Sequence, residues 1–143
     1  MATRSRIAME IENGKVISIY CHFDGYVAGN GELLQEHYGD PEKVKQLMEL
    51  GNISFLKPEV SPTGPHSFSD PQSGVTVAYG RDRGEKNTCA IEHDSVADFF
   101  RGDIEEYGYL FTAEGEWLVK SVHSRTEKDP VPLAYVLSET IKL

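Results

Sequence analysis

The sequence predicts an α+β fold, with a mainly antiparallel sheet built from hairpins and two or three short helices packed on one face. Three observations lead there. Pairs of β-like runs are joined by short Gly-bearing turns, and the helix-period segments are few and short. The strand–helix–strand alternation that builds a parallel sheet is not evident in the sequence.

The first hairpin joins residues 7–11 to residues 16–21 across Asn13-Gly14, two residues that tolerate the positive φ of a type I′ turn. The second strand runs into Tyr20-Cys21-His22-Phe23-Asp24-Gly25-Tyr26 and the glycine-rich Gly29-Asn30-Gly31, which mark a tight turn or a close backbone approach. Residues 32–38 then read as a short helix with Leu33, Leu34 and Tyr38 on one face.

Asp40-Pro41-Glu42 is a helix start: a capping carboxylate, a proline suited to the first turn, and an acid that complements the dipole. Val44, Leu47, Met48 and Leu50 supply the buried stripe of a helix over 41–50, and Gly51 is placed to stop it. Residues 54–74 contain Pro58, Pro62, Pro65 and Pro71 and form a long irregular excursion, functional or mobile.

A strand is expected over 75–79, a charged loop over 81–87, and a partner strand over 88–92. Asp94 or Ser95 caps a short helix at 96–100 that Gly102 ends. Residues 107–112 and 116–122 form a second hairpin with large cross-strand aromatics. After the polar stretch 124–130, residues 133–137 suit either a strand or a helix.

The 143 residues fit one domain without repeats. A chain of this size buries roughly 68–70% of its unfolded surface and needs neither a disulfide nor a metal to hold a core. Cys21 and Cys89 lie in apolar or β-like contexts, so buried free thiols are expected. No apolar leader or membrane-length run is present, which predicts a cytoplasmic protein with no membrane partner.

Fourteen basic against 23 acidic side chains give a net charge of −9. That field disfavours direct nucleic-acid binding and suits a partner with a basic surface.

Candidate chemistry concentrates at residues 20–31. Strand alternation would bring Tyr20, His22, Asp24 and Tyr26 to one face beside Phe23 and the glycines Gly25, Gly29 and Gly31. This set suits contact with a partner or a small polar ligand, and His22 with Asp24 could begin a metal site or an acid–base pair. The competing reading is structural, with Asp24-Gly25 as turn chemistry. His93-Asp94 is a weaker candidate that reads better as the start of the capped helix. His37, His66 and His123 show no metal-ligand spacing with one another, and neither HExxH, CxxC nor GxSxG occurs. No catalytic residue, metal or cofactor is assigned.

Thr3-Arg4-Ser5-Arg6-Ile7 and Ser18-Ile19-Tyr20-Cys21-His22-Phe23-Asp24-Gly25-Tyr26 resemble a family of small proteins encoded by tailed bacteriophages and prophages. The likeness continues through Gly31, Leu34, Glu36-His37-Tyr38, Asp40, Lys43-Val44, Leu47, Leu50-Gly51 and Ile53-Ser54, and touches the hairpin around Tyr109 and Val119. That family commonly carries Trp where this chain has Phe23, so an aromatic is kept. The resemblance implies a phage origin. It also implies a binding protein directed at a host factor in the bacterial cytoplasm, for host takeover or anti-defence inhibition. The alternative is a small-molecule or nucleotide-sequestering protein using the loop from His22 to Gly31.

Overall fold

The computed structural model describes residues 2–123 and 130–141. It shows an α+β molecule built on one eight-stranded sheet. Strands β1 (Ser5–Glu10) and β2 (Val16–Cys21) form the expected first hairpin, with Glu10 opposite Val16. Asn13 and Gly14 both take positive φ, but in a longer loop containing a single 3-10 turn.

A wide helical turn (Val27–Gly31) leads into α1 (Glu32–His37), and α2 (Pro41–Leu50) follows. The Glu42 backbone N–H donates to the Asp40 side chain, as the capping pattern requires. Gly51 ends α2 with φ 76°. Next come β3 (Ile53–Phe55), the excursion, β4 (Val77–Ala78), α3 (Tyr79–Arg83) and β5 (Ile91–His93). Helix α4 (Val96–Arg101) precedes the second hairpin, β6 (Tyr107–Phe111) and β7 (Trp117–Ser121). A short β8 (Val131–Pro132) and α5 (Leu133–Ile141) complete the described chain, so residues 133–137 are helical. Of the polar stretch 124–130, residues 124–129 lie outside the described residues.

The strand order is β4-β3-β2-β1-β6-β7-β8. Hairpin pairings are antiparallel, but β1 runs parallel to β6 and joins the two halves of the chain at the sheet centre. The outer edge of β2 is shared: β5 pairs antiparallel with Val16–Ser18, while β3 meets Cys21 in parallel.

Three expectations are corrected. The strand at 88–92 was expected beside residues 75–79; its counterpart β5 pairs with the open edge of β2 instead. The loop at 81–87 begins inside α3, which closes on Gly84 in the left-handed conformation. Finally, the helices do not all share one face. Ile7 and Ile19 point into the core that contains α1, α2 and α5 residues, whereas Ala8 and Val16 pack on Phe99 and Phe100 of α4. Both faces of β1 are buried because alternate side chains serve the two cores.

The larger core gathers Leu34, Tyr38, Leu47, Ile53, Tyr109, Phe111, Trp117 and Leu133. Trp117 Nε1 donates to the Tyr38 carbonyl at 2.8 Å, which ties β7 to the end of α1. Cys21 is buried as expected, but Cys89 is exposed, while its neighbour Ala90 packs against the larger core. No helix among the described residues is long and apolar enough to cross a membrane.

Candidate functional site

The segment after β2 is a corner whose backbone is tightly tied down. His22 and Phe23 N–H groups donate to the Ile53 and Ser54 carbonyls, and the Gly25 N–H donates to Thr3 O. Tyr109 Oη donates to Gly25 O at 2.6 Å, and burial pushes that phenol's pKa well up. A Cβ at Gly25 would crowd Thr3 O and Ser5, and one at Gly31 would press on Leu133 and Tyr109. Gly25 and Gly31 therefore sit at close approaches. Gly29 follows Tyr26 in the helical turn, its N–H bonded to Tyr26 O. Asn30 is 1% exposed and its amide nitrogen donates to Ser5 Oγ, Cys21 Sγ and Phe23 O.

Tyr20 and His22 come together on one face, with Tyr20 Oη and His22 Nδ1 hydrogen-bonded at 2.7 Å. Burial raises the Tyr20 pKa, which keeps the phenol protonated. Asp24 and Tyr26 do not continue the row. Asp24 has φ 58°, so the alternation breaks there, and both residues are exposed. The four side chains expected to converge thus resolve into one pair and two outliers.

The aromatic row turns instead through Phe23, whose ring meets His22 edge-on and stacks on Phe55 with centroids 4.4 Å apart. Phe55 opens into a cleft of about 260 Å³ that Lys57, Pro71, Gln72, Gly74, Val75 and Val77 complete. The Lys57 ammonium lies over the Phe55 ring, 5.3 Å from its centroid. The candidate segment and the excursion therefore meet in one continuous aromatic and apolar strip.

The excursion itself is built around buried polar groups. Tyr38 Oη donates to Lys57 O, and the Lys57 N–H donates to the buried Thr76 hydroxyl. Arg81 sends Nη1 to Val60 O and Nη2 to Thr76 O, while its Nε donates to Asp82 Oδ1. The side chains of His66 and Asp82 are 2% and 4% exposed, which makes them the most enclosed of the ion-pairing groups.

The Gln72 N–H donates to His66 Nδ1, so Nε2 carries the ring proton and donates it to Asp82 Oδ2 at 3.0 Å. Burial alone would push the Asp82 pKa up. Hydrogen bonds from Arg81, the Ala78 N–H and His66 outweigh it and hold the carboxyl below its ordinary range. Gln72 closes the loop on itself by accepting from the Thr63 and Gly64 N–H groups.

A second buried network spans β1, β2 and β5. Arg6 Nε donates to Ser18 Oγ, which is also hydrogen-bonded to His93 Nε2 at 2.8 Å. Burial, and then the neighbouring Arg6 charge, lower the His93 pKa, which favours the neutral ring. Ser18 is wholly buried, so this network holds β5 on the sheet rather than presenting a reactive hydroxyl.

Sequence reading singled out neither Phe55 nor Lys57, and it left His66 without a role and Arg81 and Asp82 in a charged loop. Charges next to glycines resemble solvated turns, and burial is what distinguishes them. Among the described residues, no three His, Cys, Asp or Glu side chains gather in a metal-holding group. No protein-family model, curated protein or solved structure matches the chain.

Proposed function

We propose that this protein works by binding a partner protein, in keeping with its resemblance to phage proteins, and that the partner is a bacterial host factor with a basic surface. One observation carries the reading: a long, proline-rich excursion is held in a fixed shape by the Arg81–Asp82–His66 clamp. A connection of this length is uncommon in a small domain unless it serves a function. Fixing it before contact lowers the ordering cost of association. The net charge of −9 would steer a basic surface toward it.

The test is capture from a bacterial lysate on the immobilised protein at low and high salt. A discrete polypeptide retained at low salt and released by 1 M salt (a Debye length of about 3 Å) is expected. Recovery of nothing, or of a complex indifferent to salt, counts against a charge-steered binder.

A second reading rests on the Tyr20–His22 pair and the Phe23–Phe55 stack, which would suit a small planar ligand. Under it, His22→Ala and Tyr20→Phe would abolish ligand-induced thermal stabilisation while leaving the fold intact.

A further inference from the structure

Two depressions flank the same stretch of chain. Phe55 and Lys57 line the apolar cleft of about 260 Å³, and its walls add Pro71, Val75 and Val77. Glu59, Val60 and Ser61, a few residues on, line a groove of about 320 Å³ with Asp40, Glu42 and Gln46 opposite. Phe55 and Glu59 are four residues apart, so at most about 13–14 Å of chain separates them.

The two depressions differ in chemistry. The first is walled by aromatic, proline and valine carbon, with the Lys57 stem along it and its ammonium drawn back over Phe55. Its size lies below the roughly 300–1,000 Å³ of pockets for drug-sized ligands, and it suits one large side chain. The second carries Asp40, Glu42 and Glu59, and among the described residues none of these carboxylates is in an ion pair. Its one cation, Lys43, lies 4.5 Å from the centre of the Tyr38 ring. Both depressions lean on the clamped excursion, so their spacing is fixed: Val60 O is held by Arg81 and the Gln72 N–H by His66.

We infer that this surface receives an extended segment of a partner protein that seats an aromatic or large aliphatic side chain in the cleft and lays a Lys or Arg, about four residues away, in the acidic groove. This assignment rests on the partner-protein reading above and adds where the partner docks and what it must carry. Charge complementarity selects the occupant. The start of α2 offsets Asp40 and Glu42 in part, but the exposed Glu59 adds a carboxylate that is in no ion pair among the described residues. The overall negative charge favours a cation again at a distance.

The probe is an acetylated, amidated pentapeptide, Phe-Ser-Thr-Ser-Arg, titrated into the full-length 15N-labelled protein and followed by amide chemical shifts. Shifts are expected at residues 72–75 and also at 42, 43 and 61. Replacing the peptide's Arg by Glu, or its Phe by Ala, should weaken binding at least tenfold. Ser73→Trp, which fills the cleft that Ser73 lines from an exposed turn, and Glu59→Lys, which reverses an exposed charge, should each do the same with unchanged melting temperature.

Control peptides that bind within threefold of the probe, or shifts confined to other residues, overturn the assignment. So do shifts at these amides that grow with protein concentration alone, which would make a second copy of the chain the occupant. If lysate capture succeeds but is indifferent to Ser73→Trp and Glu59→Lys, the docking assignment falls and the broader reading stands. If the peptide binds as described but no host protein is captured, the broader reading falls instead.

Discussion

At the scale of single residues, Gly51 shows how one backbone angle can be indispensable. It has φ 76°, and a Cβ there would overlap the carbonyl of Thr88, whose oxygen accepts from the Asn52 N–H at 2.7 Å. Gly51→Ala is expected to cost about 2–4 kcal/mol in urea denaturation. Gly64 has no positive φ, and nothing lies within 4 Å of the place a methyl group would take there. Gly64→Ala should therefore stay within about 1 kcal/mol of wild type. The two cysteines separate in the same way. Burial pushes the Cys21 thiol up to about 11, whereas Cys89 is exposed. At pH 8 a thiol reagent should therefore label one cysteine in the native protein and two after unfolding. Two labelled thiols in the folded state would show that Cys21 is accessible. Some of this was legible in the sequence: Gly51 was placed as a helix stop by the pattern before it. The positive φ of Asp24 was not, because a strand's alternation is read by extrapolation and a single left-handed residue ends it unannounced.

At the scale of elements, the excursion depends on the state of one carboxylate. Asp82 is held below its ordinary pKa, so the stability it contributes is present above the unfolded value of 3.8 and is lost as pH falls through the folded one. As pH falls from 3.8 toward that lower folded value, the His66–Asp82 contact should weaken. Hydrogen exchange should then quicken at the Gln72 and Ala78 amides while the amides of β1 and β6 stay protected. His66→Ala should reproduce that pattern at neutral pH. Equal exchange in the mutant and the wild type would show that the clamp does not hold the loop. The helices α2 and α4 and both hairpins were readable because caps, turns and periodicity are local. Helix α3, the pairing of β5 with β2 and the order inside the excursion were not, since each is decided by residues far along the chain: His66 and Asp82 are 16 positions apart, and Ser18 and His93 are 75.

At the scale of the whole molecule, the buried titratable groups define a pH window. His93 has a lowered pKa, so the unfolded chain takes up its proton first and stability declines as pH falls below about 6.5. Cys21 at about 11 and Tyr38 at about 12 are raised, so their contribution is complete below the ordinary values of 9.0 and 10.0 and is lost as pH rises through the folded ones. Denaturation midpoints should form a plateau between about pH 6.5 and 9. His93→Gln, which keeps an acceptor for Ser18, should flatten the acid shoulder, and an unchanged shoulder would show that His93 does not govern it. The parallel contact between β1 and β6 has a different consequence, one of timing. Residues 11 to 106 separate Glu10 from Tyr107, so β1 leaves the ribosome long before its central neighbour exists. At about 5–20 residues per second the wait is roughly 5–20 s. Throughout it the nascent β1–β2 hairpin exposes an open edge whose side chains are destined for two cores, Ile7 for one and Ala8 for the other. The first-made hairpin thus waits for a partner made far later in the chain, and its survival in translation depends on whatever shelters that edge until β6 arrives.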